Sequence, residues 1–236
     1  MRLALTLAYN GTSYLGSQTQ TETANTVMGK LESVLAKLGI HTKIVASGRT
    51  DKGVHATGQV CHIDVPDFWS DAKKLQEVLN QKLPSSIHVK NIAHVADDFH
   101  ARYGAKKRVY RYFFKQENAN PFENDFITFE KNIDFEEVQE KIKLFIGEHD
   151  FANFMKTGSD VGSSVRVVYK AFAYKYKGLI VLNFEANGFL RSQIRLMVGA
   201  LLKLNAVQIQ EQLSCQKKHK FKPAPSNGLY LALIKY

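Results

Sequence analysis

Residues 43–65 read KIVASGRTDKGVHATGQVCHIDV. KIVA at 43–46 has the apolar, β-branched character of a strand, and in GQVCHIDV at 58–65 Cys61, Ile63 and Val65 recur with period two on one face. The stretch between them is therefore a loop at the edge of a sheet, and Asp51 sits in that loop rather than in a helix. Gly48, Gly53 and Gly58 let the backbone turn sharply and approach a ligand closely. Arg49, Lys52 and His55 lie near enough in sequence to surround the Asp51 carboxylate and hold it ionised. A carboxylate so placed can serve as nucleophile, base or metal ligand. Metal binding is disfavoured, because the loop offers no second carboxylate and no paired histidine. A surface turn in which Asp51 caps backbone amides and pairs with Arg49 fits the local residues equally well.

Outward from this loop, helical and strand periods alternate. Val27, Leu31, Val34, Leu35 and Leu38 form a helical stripe entered near Asn25 and closed by Gly39. Ser70 is placed to cap a second helix, with Leu75, Val78, Leu79 and Leu83 inward and Pro84 as the stop. Asp134 with Glu137 resembles a capping box ahead of Phe135, Val138, Ile142, Phe145 and Ile146, and a fourth helix is predicted from about Gly188 to Asn205. Strands are predicted at 3–9, 58–65, 108–115, 169–176, 179–185 and 229–236. Each half then reads strand, helix, strands, helix, return strand. The fold class expected is α+β: two tandem ferredoxin-like or RNA-recognition-like halves, 1–100 and 101–236. Their antiparallel sheets are expected to join into a continuous sheet, with a basic cleft between the halves.

The chain has 236 residues, of which 44% are hydrophobic and 23% charged, an ordinary globular composition. Cys61 and Cys215 belong to no zinc or disulfide spacing, which makes a reducing, cytoplasmic setting the default expectation. The apolar run in MRLALTLAYNG alternates like a strand and is too short to span a bilayer, so neither secretion nor membrane insertion is expected.

Net charge is +10, from 32 Lys+Arg against 22 Asp+Glu, and its placement is informative. ARYGAKKRVYRYFFKQ at 101–116 and CQKKHKFK at 215–222 together contain as many Lys/Arg as the net excess and no acid. Such confinement is expected of a footprint on a polyanion, though a solvated basic surface would look the same. In the first segment Arg108, Tyr110, Tyr112 and Phe114 alternate onto one face, where a ring could stack on a base beside a cation for phosphate. The alternative is that the rings are core. On the fourth predicted helix, Arg191 and Arg195 flank an apolar arc of Leu190, Ile194, Met197, Val198 and Leu201. Arg191 can snorkel to water, whereas Arg195, deeper in the helix, is expected to form a partly buried ion pair.

Five stretches, YNGTSYLGSQTQ, ASGRTDKGVHATGQV, FHARYGAKKRVYRYFF, NGFLRSQIRLMVGALL and APSNGLYLALIKY, resemble the tRNA pseudouridine synthases of the TruA type, in family order and over nearly the whole chain. GRTDKGVHA is the most specific of them. The resemblance implies that Asp51 is the catalytic aspartate, attacking the target uridine at C6 of the base or at C1′ of the ribose. It further implies that Arg49 holds the extruded nucleotide, that Tyr110 stacks on the base and that Arg195 pairs with Asp51. Lys107, Arg108 and Arg191 are expected to contact substrate. Also implied are a homodimer, tRNA as the partner through its anticodon stem-loop, and a reaction without metal or organic cofactor. Lys52 and His55 receive no role. The chain departs from the family pattern at Ser17, where tryptophan is usual, at Met28, and at Ser192 and Gln193. These departures bear on the choice of uridine, and leave room for a divergent synthase or for an RNA-binding paralogue without turnover.

Overall fold

The computed structural model describes residues 1–158 and 162–236. The chain divides into two compact units, Met1–Lys106 with Tyr230–Tyr236, and Lys107–Leu229. The final strand thus clusters with the first unit, away from the 101–236 half in which its sequence position put it.

The first unit is built on β1 (Arg2–Tyr9), whose alternation buries Leu3, Leu5, Leu7 and Tyr9. It lies between β3 (His55–Asp64) and β4 (Ile87–His94), antiparallel to both, with Leu5 opposite Cys61 and Ile92. The two-residue β2 (Val45–Ala46) also pairs antiparallel with β3, and β10 (Leu229–Lys235) runs parallel to β3, with Tyr230 opposite His55. That parallel pair corrects the expectation of a wholly antiparallel sheet. Gly58 makes it possible: a Cβ there would stand 2.3 Å from the Ala232 carbonyl oxygen.

Helices α1 (Val27–Lys37) and α2 (Ala72–Lys82) carry the expected stripes, but their caps lie one residue later than predicted. Thr26 accepts from the Gly29 N–H at 3.1 Å, and Asp71 from the Lys74 N–H at 2.9 Å. Asp71 replaces Ser70 because Ser70 closes a short 3-10 turn over Asp67–Trp69. Gly39, with φ of +73°, ends α1 as expected: its N–H reaches the Ala36 carbonyl and the Ile40 N–H reaches that of Leu35.

In the second unit β5 (Lys107–Lys115), β9 (Leu179–Ala186), β8 (Val165–Tyr176) and β7 (Gly147–Asp150) are neighbours in that order, all antiparallel. The short β6 (Thr128–Phe129) lies parallel to the end of β5. Helix α3 (Phe135–Lys141) is capped by Asp134 as predicted, then tightens into a 3-10 turn over Ile142–Phe145. The predicted fourth helix is shorter and divided. Gly188–Leu190 is irregular, Arg191–Ser192 forms a turn in which Ser192 has left-handed φ of 60°, and only then does α4 (Gln193–Lys203) begin. Asn205 and Gln208 form a capping box that starts α5 (Ala206–Leu213), an element the sequence pattern did not separate.

Candidate active site

In the first unit the chemistry-bearing loop is Ser47–Val54, between β2 and β3, and its backbone is held from beneath by buried polar side chains. Gln59, on the inward face of β3 with Cys61 and Ile63, is fully buried and needs partners for its amide. It accepts from the Ser47 hydroxyl at 2.6 Å and donates to the Gly48 carbonyl at 2.8 Å. Two residues on, the Thr50 N–H donates to the Ser17 hydroxyl at 2.8 Å, and the Ser17 N–H donates to the Thr50 carbonyl at 3.1 Å. Ser17 also accepts from the Met28 N–H at the start of α1, so it ties loop to helix. The Tyr9 hydroxyl, at the inner end of β1, shares a hydrogen bond of 2.8 Å with Thr50 Oγ1. Burial pushes that phenol up to about 12, opposed by its hydrogen bonds with Thr50, Gln59 and Ser17.

On this base Asp51–Val54 closes a turn, the Val54 N–H reaching the Asp51 carbonyl at 3.1 Å with Gly53 at φ +76°. Asp51 is half-exposed, and Arg49 and Lys52 are exposed, while Thr50 and Val54 point inward. His55 follows the turn at the start of β3. It is buried, stacks on Tyr230 at 4.6 Å between centroids, and its Nδ1 accepts from the Gly11 N–H at 3.1 Å. A nitrogen that accepts a backbone N–H carries no proton, so His55 serves to pin the turn after β1 to β3. The two turns press together so tightly that a Cβ on Gly11 would lie 2.0 Å from the Val54 carbonyl oxygen.

In the second unit the face of β5 that carries Tyr110 resolves into two kinds of ring. Tyr112 and Phe114 are fully buried core, 4.6 Å apart, whereas Tyr110, buried but still 8% exposed, packs edge-on against Phe189 at 5.3 Å ahead of α4. Burial pushes the Tyr112 phenol well above its ordinary value, its hydrogen bond with Thr128 and the charge of Arg195 acting against it. Arg108 reaches the same segment, donating to the Asn187 carbonyl at 2.7 Å. Lys107 leaves by the opposite face, where its ammonium lies 3.1 Å from Glu185 and 4.8 Å from the Tyr169 ring centroid.

Arg195 lies in the first turn of α4 rather than its middle, because the helix starts late. Its Nε donates to the Ala224 carbonyl at 2.7 Å, and its own carbonyl accepts from the Ala224 N–H at 2.8 Å. This reciprocal clasp fixes the direction of a long side chain that would otherwise sample many rotamers. Arg191 is outside the helix and exposed, so the two arginines are not one helical turn apart as expected. Gln193, fully buried, accepts from the Leu190 N–H at 2.7 Å and thereby sets the segment that carries Phe189 and Arg191.

The second unit thus gathers Tyr110, Arg108 and the 187–191 segment, while the first holds Asp51 and Arg49 on one loop. Sequence reasoning missed the residues underneath: Tyr9, Ser17, Ser47, Thr50 and Gln59. Gln59 had a legible signal, a polar residue in phase with Cys61 and Ile63 on a core face. Among the described residues no group of three or more His, Cys, Asp or Glu could hold a metal ion. Nor, among the described residues, is any helix long and apolar enough to cross a membrane.

A family model described as tRNA pseudouridine synthase matches residues 6–104 and 142–236. The chain belongs to the tRNA pseudouridine synthase family. The family's reaction is isomerisation of uridine to pseudouridine in tRNA, and that is the enzyme class of this chain. It is 36% identical to a tRNA pseudouridine synthase A of Campylobacter jejuni strain RM1221, each covered over 100% of its length. It is 38% identical to that of Wolinella succinogenes, over 98% of this chain and 92% of the relative. To that of an Exiguobacterium species it is 37% identical, over 100% and 98%.

Proposed function

We propose that Asp51 is the nucleophile with which this synthase isomerises a uridine of the tRNA anticodon arm. The isomerisation breaks the bond from ribose C1′ to N1, joins C1′ to C5, releases the C5 proton to solvent and returns a proton to N1; the bond that Asp51 forms on the way is broken again, and the carboxylate is regenerated. No net oxidation occurs, so the reaction itself calls for no redox cofactor. A nucleophile in such a step must be held in place while the base turns beneath it. The observation that carries the reading is the footing of Asp51: the residue before it is anchored by Ser17 and Tyr9, its own carbonyl closes a turn, and its side chain is left half-exposed.

Arg49, on the same loop and exposed, takes the extruded nucleotide. Arg195, held by Ala224, supplies the counter-charge to the aspartate, and Tyr110 offers its ring to the flipped base. Arg108 and Arg191 assist through RNA phosphates, and Lys107, already engaged by Glu185, contributes least. The enzyme acts in the cytoplasm as a homodimer.

The test is tritium release from unmodified tRNA labelled at C5 of uridine. The native chain is expected to release label, and Asp51→Asn to lose release while retaining tRNA binding. Turnover surviving in Asp51→Asn refutes the nucleophile. Binding by the native chain with no release from any tRNA selects the RNA-binding paralogue instead.

A further inference from the structure

The second basic segment is not a loose tail. After α5 the chain turns at Cys215, φ 59°, and residues 217–225 run without helix or strand toward Ala224. Within it, side chains alternate. His219 is inward, its ring nitrogen 2.7 Å from Glu211 and its N–H donating to the buried Gln212 side chain at 2.9 Å. Gln212 in turn exchanges hydrogen bonds of 3.2 Å with Asn153. Phe221 is also inward, 6.5 Å from the Phe154 ring. Gly199 on α4 is the seat: a Cβ there would meet the Lys222 carbonyl oxygen at 2.3 Å and the Phe221 ring at 3.3 Å.

Lys218, Lys220 and Lys222 take the alternate positions and are exposed. Among the described residues none of the three forms an ion pair, and Glu211, on α5 just before the segment, is paired with His219. Alternate residues of an extended chain lie about 6.6 Å apart, a step comparable to that between neighbouring phosphates on one strand. The row ends two residues before the carbonyl that clasps Arg195.

We propose that Lys218, Lys220 and Lys222 form a pre-positioned track for the tRNA backbone, leading phosphates toward Arg195. A mobile run of lysines would lose side-chain and backbone freedom on binding; here His219, Phe221 and Gly199 have fixed the backbone beforehand. The inference rests on tRNA being the substrate, but not on Asp51 being the nucleophile.

The experiment is filter binding of unmodified tRNA to the full chain between about 50 and about 200 mM salt. The triple variant Lys218→Gln, Lys220→Gln, Lys222→Gln is compared with a triple of equal charge change on α2: Lys73→Gln, Lys74→Gln, Lys82→Gln. The track variant should bind about tenfold more weakly at intermediate salt, with its log–log salt slope shallower by about 2, and arginine in place of the three lysines should restore both. Unchanged affinity and slope overturn the proposal, as does an equal loss in the α2 control. Binding is read in an Asp51→Asn background as well as in the native chain. Failure of the track then leaves tritium release untouched, and failure of the Asp51 reading leaves the binding comparison intact.

Discussion

The Ser17 hydroxyl accepts the Thr50 N–H at 2.8 Å, and the Thr50 carbonyl accepts the Ser17 N–H at 3.1 Å. Ser17, read from the sequence as a departure from the family resemblance, is almost wholly buried in this chain. A hydroxyl at that depth is costly unless paired, and its pairing is with the residue next to Asp51. Ser17 is therefore a built part of the loop's footing.

Ser17→Ala removes the acceptor and leaves the Thr50 N–H buried and unpaired. The expected cost is about 1–3 kcal/mol of stability, read by urea unfolding. Displacement of Asp51 by a fraction of an ångström should lower kcat by up to about 10²-fold, with a smaller change in KM. Unchanged kcat in a folded Ser17→Ala protein would show that the footing does not position the aspartate.

Tyr9, Cys61 and the partly buried Tyr230 make the first unit sensitive to alkali. Burial pushes Tyr9, Tyr230 and Cys61 up to about 12, from ordinary values of 10.0 for the phenols and 9.0 for the thiol. The unfolded chain sheds these protons first, so stability they contribute is complete below about pH 9 and declines as pH rises toward 12. For Tyr9 alone the span corresponds to about 3 kcal/mol. Tyr9→Phe, though less stable near neutrality for want of its hydrogen bond to Thr50, should show a shallower decline between pH 10 and 12. Denaturant titrations along that range read the slope; parallel slopes for variant and native chain would refute the assignment to Tyr9.

Gly11→Ala and Gly178→Ala separate crowding from conformational strain. A Cβ at Gly11 collides with the Val54 carbonyl at 2.0 Å, backbone against backbone, with no flexible side chain to yield. Gly178, at φ +78° in the hairpin after Lys177, has nothing within 4 Å of its would-be Cβ. Gly178→Ala should cost about 1 kcal/mol, and Gly11→Ala more than about 2, with loss of tritium release because the Asp51 turn is pushed. Thermal melts of both variants give the comparison.

Much of this was legible in the residues. Period-two runs located β1, β3, β5, β8 and β9, and the apolar stripes located α1, α2 and α3, because burial on one face leaves a periodic mark. The Asp51 loop was legible as a loop for the same reason. The parallel pairing of β10 with β3 was not, since register between distant strands is set by packing and by the bare backbone of Gly58. Nor was the late start of α4. NGFLRSQIRL carries a continuous helical pattern, and only a left-handed Ser192 with a buried Gln193 holding Leu190 interrupts it. The hydrogen bond that His55 takes from the Gly11 N–H and its stack on Tyr230 were not legible either, because sequence proximity says nothing about which way alternate residues of a strand point.

That late start separates the two arginines, and their variants should behave differently. Arg195 gives Nε to the Ala224 carbonyl and takes the Ala224 N–H on its own carbonyl, which fixes the direction of its guanidinium. Lysine has one compact ammonium and cannot both hold Ala224 and present a second edge. Arg195→Lys should therefore lower kcat by about 10²-fold, although charge is conserved. Arg191 is exposed in the preceding turn, where a cation serves mainly as a screened phosphate contact. Arg191→Gln should act chiefly on KM, about threefold at moderate salt, with the effect fading as salt rises. Steady-state tritium release at two ionic strengths distinguishes them; equal losses of kcat in both variants would place Arg191 in the chemistry and contradict the division between clasped and free arginine.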